Sequence, residues 1–271
     1  MLFRSGFRRV IVTDALDMRA ITATFGLEEA AVRAVAAGCD MVAFNAPVDS
    51  AREVHAALTS AISTGRLPAD QVRASGERVR ALRRSLARNP RPPISVVGDA
   101  THVAMANQIA ALALTVTGEA IPLLPRAPGR TIVIEFDPRL PFADPNVHAP
   151  RVRLSDAIAD RHVDTETHVL APSAWESRAT TMLDHVRFAT RVIVATRNAW
   201  RDNHQRDALI AIGAAATDLT VVALRDPQDA LIVPTARNVM AYADDPSSVL
   251  AVIGCLLDGA PAPGIMPVAL S

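Results

Sequence analysis

The chain has 271 residues, which allows one large domain or two modest ones. Half of the residues are hydrophobic and only 4% are aromatic, so a core would consist mainly of alanine, valine, leucine and isoleucine. The 28 basic and 28 acidic residues cancel, which argues against an electrostatic grip on nucleic acid or on an anionic membrane. The two cysteines, Cys39 and Cys255, are too far apart to form a disulfide framework or a metal-binding knuckle.

The first ninety or so residues predict alternating strands and helices. Apolar runs predict strands over residues 8–13 and 40–45, and helical spacing of apolar residues predicts helices over 27–37 and 49–64. Gly38 ends the first of these helices, and Pro68 opens a third. Short strand–helix connections of this kind imply parallel strands joined by right-handed crossovers.

A proline-rich stretch at residues 89–93 cannot continue a helix and predicts a domain boundary. We therefore expect a first domain over residues 1–88, a linker over 89–100 and a second domain over 101–271. Strands and helices alternate again in the second domain, which is typical of an α/β layered sheet. Helices are predicted over 101–114, 175–189, 204–216 and 246–257, and strands over 131–136, 168–170, 191–195, 220–224 and 239–242.

A carboxylate ends the first predicted strand. Asp14 directly follows the apolar residues 10–12 and Thr13, and functional carboxylates often lie at the carboxyl end of a parallel strand in α/β enzymes. Asn45 ends the next predicted strand, so it is expected to face the same rim and is a candidate substrate-binding residue. A purely structural alternative is that Asp14 caps a helix beginning at Ala15.

Two further acidic residues near this strand have structural alternatives. Asp17 is either part of the same functional motif or a carboxylate in the first turn of a helix. Asp40 follows Gly38 closely and is expected to fix a turn.

Several stretches of this sequence resemble glycoside hydrolase family 3, and the nearest branch is that of the β-N-acetylhexosaminidases. The first is Val12-Thr13-Asp14-Ala15-Leu16-Asp17-Met18, followed by residues 29–34 and 37–41. Residues 111–117, 121–125, 221–229 and 259–270 resemble motifs of the family's C-terminal domain. One departure is Gln228, which stands where the family's Pro-Tyr-Asp motif has an aromatic residue.

This resemblance implies an α/β fold: the last two β/α units of a TIM barrel, followed by an α/β sandwich domain. It also implies that Asp14 is the nucleophile of a retaining glycosidase, which forms a covalent glycosyl-enzyme. Met18 belongs to the same motif and is a candidate substrate-binding residue. No metal and no cofactor is implied. The branch's general acid is a His-Asp pair on an earlier barrel loop, and its sugar-binding motif is Lys-His-Phe-Pro-Gly-His-Gly. Neither occurs in these 271 residues.

The expected function is therefore hydrolysis of terminal β-N-acetylglucosaminides or related β-glycosides, with the chain inactive by itself. Two alternatives stay open: a non-catalytic carbohydrate-binding or interaction module, and the product of a truncated gene. A carbohydrate is the expected partner, without nucleic acid or membrane, and self-association is expected through exposed barrel-edge strands. No run approaches the roughly 20 apolar residues of a membrane span, so a cytoplasmic location is expected unless an upstream signal was lost.

The remaining candidates are histidines and a tryptophan. The seven histidines are scattered without ligand spacing, which predicts solvated surface side chains and no metal site. His148, in a proline-rich loop, is the one histidine considered as a substitute acid. Trp200 lies among arginines and asparagines at a predicted strand end, where it serves either as a sugar-stacking platform or as a loop anchor.

Overall fold

The structure is a computed structural model that describes residues 6–118, 129–137, 152–162, 164–266 and 269. It divides into two compact units, Met1–Ile94 and Ser95–Ser271.

The first unit contains a two-stranded parallel sheet and four helices within the described residues. They are β1 (Val12–Ala15), α1 (Arg19–Phe25), α2 (Leu27–Ala36), β2 (Met41–Ala43), α3 (Val48–Ser63) and α4 (Ala69–Ala87). Val12 pairs with Met41 and Ala15 with Ala43, and the register shifts between these two pairs. Strand β1 begins later than predicted and includes Asp14, so the prediction that Asp14 follows the strand was wrong.

Local sequence explains most of these boundaries. Helix α2 has Glu28 and Glu29 in its first turn, where carboxylates favour the positive end of the helix dipole. Gly38 follows its last turn with a φ of 107°, a conformation that favours glycine. Helix α1 was not predicted, because it is short and has no buried residue to give it an apolar periodicity.

The core of the first unit is small and built from small side chains. One cluster gathers Ala31 and Val54 with neighbouring apolar residues, and a second gathers Val32, Ala61 and Leu67. Both clusters lie where α2 packs against α3. The two strands are only partly buried, since Val12 and Met41 are 51% and 42% exposed.

The second unit contains a six-stranded sheet and five helices within the described residues. The strands are β3 (Thr115–Thr117), β4 (Thr131–Phe136), β5 (Thr165–Leu170), β6 (Arg191–Thr196), β7 (Leu219–Ala223) and β8 (Arg237–Met240). The helices are α5 (Ala100–Ala113), α6 (Leu154–Ala159), α7 (Trp175–Arg187), α8 (Asn203–Ala215) and α9 (Pro246–Asp258).

The strand order is β3-β8-β7-β6-β4-β5, and every neighbouring pair is parallel except β3 with β8. The chain moves from β4 to β5 on one side and then crosses to β6 on the other side of β4. The carboxyl ends of β4 and β6 therefore form the point where the winding direction changes, which is where open α/β sheets commonly bind ligands.

Helices cover both faces of this sheet. Val133 on β4 faces a core cluster shared with α6 and α9, whereas Ile132 and Ile134 face a cluster shared with α7 and α8. All three side chains are fully buried, as expected of a parallel sheet with helices on both faces. The predicted α/β class is therefore confirmed.

In the second unit, the longer strands were predicted from the sequence, whereas some short elements were not. The limits of β4 agree with the prediction, whereas β5 is twice as long as predicted. Strand β3 and helix α6 were not predicted. The motif at 121–125, most of the loop at 137–150, and the end of the closing motif at 259–270 lie outside the described residues.

Candidate functional site

The candidate site of the first unit lies at the carboxyl ends of β1 and β2. Because the two strands are parallel, their carboxyl ends meet at one edge of the sheet. Asp14 is exposed in the last half of β1, and Asn45 is exposed shortly after the end of β2. The structure thus brings the two predicted site residues to the same edge.

Hydrogen bonds across the two strand ends fix this edge. Asp17 Oδ1 accepts a hydrogen bond of 2.9 Å from the backbone N–H of Asn45. The Leu16 N–H donates to the carbonyl of Ala43 at 2.8 Å, and the Ala43 N–H donates to Thr13 Oγ1 at 2.9 Å. Asp17 therefore joins the segment after β1 to the segment after β2, and it is not a first-turn helix carboxylate.

The carboxylate of Asp14 stays on the surface. Its Oδ1 accepts a hydrogen bond of 2.8 Å from the Ala15 N–H. Helix α1 begins only at Arg19, with Met18 in the capping position, so the alternative that Asp14 caps a helix at Ala15 was wrong. Met18 is 46% exposed, and its backbone carbonyl accepts hydrogen bonds from the first turn of α1.

Asp40 connects the same two strands to helix α4 through hydrogen bonds. Its side chain is fully buried, and it accepts hydrogen bonds from the Ile11 N–H (3.0 Å) and from the guanidinium of Arg78 (2.6 Å). Burial disfavours the carboxylate, but the hydrogen bonds from Arg78 and Ile11 outweigh it and lower the pKa of Asp40. Asp40 thus links β1, β2 and α4, a wider role than the predicted turn.

A second polar cluster lies at the carboxyl ends of β6 and β7 in the second unit. The indole N–H of Trp200 donates to Asp226 at 2.8 Å, and the backbone N–H of Trp200 donates to Asp229 at 3.0 Å. The guanidinium of Arg201 lies over the indole ring, 4.3 Å from its centroid. Trp200 is therefore a loop anchor, and one face of its ring is already covered.

Asp229 holds that loop from inside the protein. It is fully buried and accepts a hydrogen bond of 2.7 Å from Thr196 Oγ1, in addition to the one from Trp200. Burial is the largest influence and raises the pKa of Asp229, although both hydrogen bonds oppose this effect. The residues that resemble the family's strand-end motif thus anchor a loop here.

A buried ion pair lies at the carboxyl ends of β4 and β6, where the winding direction of the sheet changes. Arg197 donates to Glu135 at 2.8 Å, to Asp244 at 3.1 Å and to the carbonyl of Phe136 at 2.6 Å. Arg197 and Glu135 are 4% and 1% exposed. Each guanidinium nitrogen of Arg197 is therefore bonded within the protein, which makes this cluster a structural one.

A third cluster was missed by the sequence analysis. Glu166 and His168 on β5 meet His185 on α7, and Glu166 also pairs with Arg130. Burial disfavours the Glu166 carboxylate, but hydrogen bonds from Arg130 and the two histidines lower its pKa to about 2. The prediction that each histidine is simply solvated was wrong for His168 and His185. It was also wrong for His162, which is 8% exposed and whose Nδ1 lies 2.9 Å from Thr165 Oγ1. His148 lies outside the described residues.

One protein-family model matches the first part of the chain. Residues 3–82 match the model of the glycosyl hydrolase family 3 N-terminal domain. A search of curated proteins finds no match.

The helices of the described residues were also considered as membrane spans. None of them combines the length and the apolar character that a span requires.

Several solved structures have the same fold. A glycoside hydrolase family 3 β-N-acetylglucosaminidase from Paenibacillus sp. str. FPU-7 has a TM-score of 0.83 and 23% identity, covering 100% of this chain and 53% of that one. A fungal multi-domain family 3 β-N-acetylglucosaminidase has a TM-score of 0.78 and 22% identity, covering 97% and 31%. The β-glucoside phosphorylase BglX has a TM-score of 0.69 and 18% identity, covering 98% and 50%.

These matches confirm the sequence resemblance to glycoside hydrolase family 3. The family model covers the segment that contains Asp14, Met18 and Asn45. The chain spans about half the length of the Paenibacillus structure and about a third of the fungal one.

Proposed function

We propose that this chain carries the nucleophile of a retaining family 3 glycosidase that hydrolyses terminal β-N-acetylglucosaminides or related β-glycosides. The observation that carries the proposal is the exposed carboxylate of Asp14 on β1, within the segment matched by the family 3 N-terminal domain. The similarity to two β-N-acetylglucosaminidase structures supports the choice of sugar.

The proposed reaction has two steps. In the first, a carboxylate oxygen of Asp14 bonds to the anomeric carbon while the bond to the leaving oxygen breaks, and a general acid protonates that oxygen. In the second, a water oxygen bonds to the anomeric carbon, the ester to Asp14 breaks, and the former acid takes the water proton. We assign the acid to none of the 271 residues.

The surrounding residues would position this carboxylate. Asp17 ties the Asn45 backbone to the end of β1, which keeps Asn45 at the same edge as Asp14. We propose that Asn45 and Met18 contact the sugar, since both are exposed there. Asp40 acts beneath them as a positioning residue, because it holds β1, β2 and α4 together.

A chimera tests the proposal. The part of the Paenibacillus enzyme that this chain does not cover, which we expect to supply the earlier barrel strands, is joined to residue 1. Release of 4-nitrophenol from its β-N-acetylglucosaminide is then measured. We expect Asp14→Asn to abolish release and Asp49→Asn, which removes an exposed carboxylate on α3, to leave it unchanged.

A chemical signature separates the nucleophile from a merely structural carboxylate. In the Asp14→Gly chimera, added azide should attack from the vacated side and give an α-glycosyl azide from the β-substrate. Turnover that survives Asp14→Asn would refute the role of Asp14. A chimera that binds sugar without any turnover would favour a non-catalytic carbohydrate-binding module instead.

A further inference from the structure

The second unit contains a cluster of two imidazoles and one carboxylate that is independent of the proposed glycosidase site. Glu166 and His168 are two residues apart on β5, so their side chains lie on the same face of the strand. His185, near the end of α7, meets them on that face. Strand β5 is at the edge of the sheet, so the cluster is close to solvent.

The three side chains converge closely. His168 Nε2 lies 2.7 Å and His185 Nδ1 lies 2.6 Å from the same oxygen, Glu166 Oε1. The three ligand atoms are all within 4.8 Å of one another. The side chains of Glu166, His168 and His185 are 29%, 17% and 34% exposed, so the cluster is partly enclosed but open to water.

From this geometry we propose that Glu166, His168 and His185 bind a divalent transition-metal ion such as Zn²⁺. Two imidazole nitrogens, one carboxylate oxygen and an open position for water form a common zinc ligand set. Ligand atoms about 2.0–2.2 Å from a tetrahedral ion lie roughly 3.3 Å from each other. The two nitrogens therefore need to move away from Glu166 Oε1 by less than about 1 Å to admit the ion.

The protons can be accommodated without ionising the imidazoles. Each nitrogen that now faces Glu166 Oε1 can present a lone pair once its proton moves to the other nitrogen of the same ring. Neutral imidazole is the form that binds a metal.

Arg130 supplies the support that a ligating carboxylate usually has. It pairs with Glu166 Oε2, whereas both histidines pair with Oε1. A hydrogen bond of this kind fixes the orientation of the carboxylate and leaves Oε1 for the ion. Arg130 directly precedes β4, the strand next to β5, so the sheet holds both residues of the pair.

The proposed ion would join β5 to α7, and its binding is measured on the full 271-residue chain without an affinity tag. Zn²⁺ is titrated by calorimetry, and Co²⁺ is added as a spectroscopic probe. We expect one ion per chain, visible Co²⁺ bands of a tetrahedral site, and a higher unfolding temperature by tryptophan fluorescence. Both tryptophans, Trp175 and Trp200, are in the second unit and report on it.

Conservative variants locate the site. His168→Gln and His185→Gln keep a side chain that can hydrogen-bond to Glu166, and each should weaken Zn²⁺ binding at least about 100-fold. Arg130→Gln should weaken it about 10- to 100-fold, as expected for loss of a supporting hydrogen bond. The matched control is His204→Gln, since His204 lies 3.6 Å from one carboxylate, Glu176, on the same unit; it should bind Zn²⁺ like the wild type.

The proposal would be overturned by the absence of 1:1 binding with a Kd below about 10 µM. It would equally be overturned if His168→Gln and His185→Gln bound Zn²⁺ as tightly as the wild-type chain. Either result leaves the proposed glycosidase function untouched, because no residue of this cluster takes part in it.

Discussion

The buried carboxylate of Asp40 and the guanidinium of Arg78, 38 residues apart, form the ion pair that fastens α4 beneath β1 and β2. The Asp40 side chain is fully buried, while that of Arg78 is 27% exposed. The same carboxylate accepts a hydrogen bond from the Ile11 N–H. One side chain therefore bonds both to the backbone at the start of β1 and to a side chain of α4.

We predict that Asp40→Asn destabilises the first unit by about 1.5–3 kcal/mol, as expected for hydrogen bonds to a charged group. Hydrogen exchange followed by mass spectrometry measures this loss as faster exchange in peptides from β1 and β2. The control is Asp49→Asn, because Asp49 pairs with Arg52 on the exposed surface of α3. Exposed pairs contribute little, so no measurable change is expected there. Equal exchange in the Asp40→Asn and wild-type chains would contradict the prediction.

The lowered pKa of Asp40 also predicts a pH dependence. A carboxylate with a lower pKa in the folded state stabilises it fully above the ordinary value of about 3.8. This stabilisation is lost as the pH falls through the lower, folded value. The stability difference between the wild type and Asp40→Asn should therefore be constant from pH 7 to about 5 and shrink below about 3.8. Denaturant unfolding at each pH measures it, and a difference that persists unchanged under the most acidic conditions would refute the assigned cause.

The third prediction concerns activity of the 271-residue chain by itself. We expect no measurable release of 4-nitrophenol from its β-N-acetylglucosaminide or β-glucoside. General acid catalysis contributes about 10²- to 10⁴-fold, and substrate positioning is worth about 7–11 kcal/mol. We assign neither the acid nor most sugar contacts to this chain, so Asp14 alone should not suffice. Turnover by the chain alone that Asp14→Asn abolishes would reveal an acid within these residues.

The fourth prediction concerns self-association of the strands of the first unit. Within the described residues, β1 and β2 pair only with each other, so each has an open edge, and Val12 and Met41 are exposed. Such edges favour pairing between chains. We predict that the chain forms oligomers in light scattering and that Val12→Lys reduces their mass, because a charge on an edge strand opposes pairing.

A matched substitution controls for a general gain in solubility. Phe188 is 78% exposed in the second unit, and Phe188→Lys should leave the oligomers unchanged. Residues 101–271 alone are expected to remain monomeric. A monodisperse full-length monomer would contradict this prediction.

Local sequence predicted the elements whose residues repeat at a regular spacing. The amphipathic helices α2 and α3 are of this kind, because one buried face leaves a periodic pattern. Strand β4 was predicted from a continuous, mostly apolar run, because both of its faces are buried. Once the strands of the first unit were predicted, Asp14 and Asn45 followed as candidate site residues. Each lies at the end of a predicted strand, and the carboxyl ends of parallel strands meet at one edge of a sheet. Short exposed elements such as α1 left no such pattern and were missed.

Contacts between distant parts of the chain were decided only by the tertiary structure. Nothing in the local sequence pairs Asp40 with Arg78, or His185 with Glu166, because those distances depend on how helices pack against strands. The same holds for Asp17, whose partner is the Asn45 backbone on the next strand. Periodicity fixes which face of an element is buried, but the partner of a polar side chain depends on packing between elements, which a local pattern does not contain.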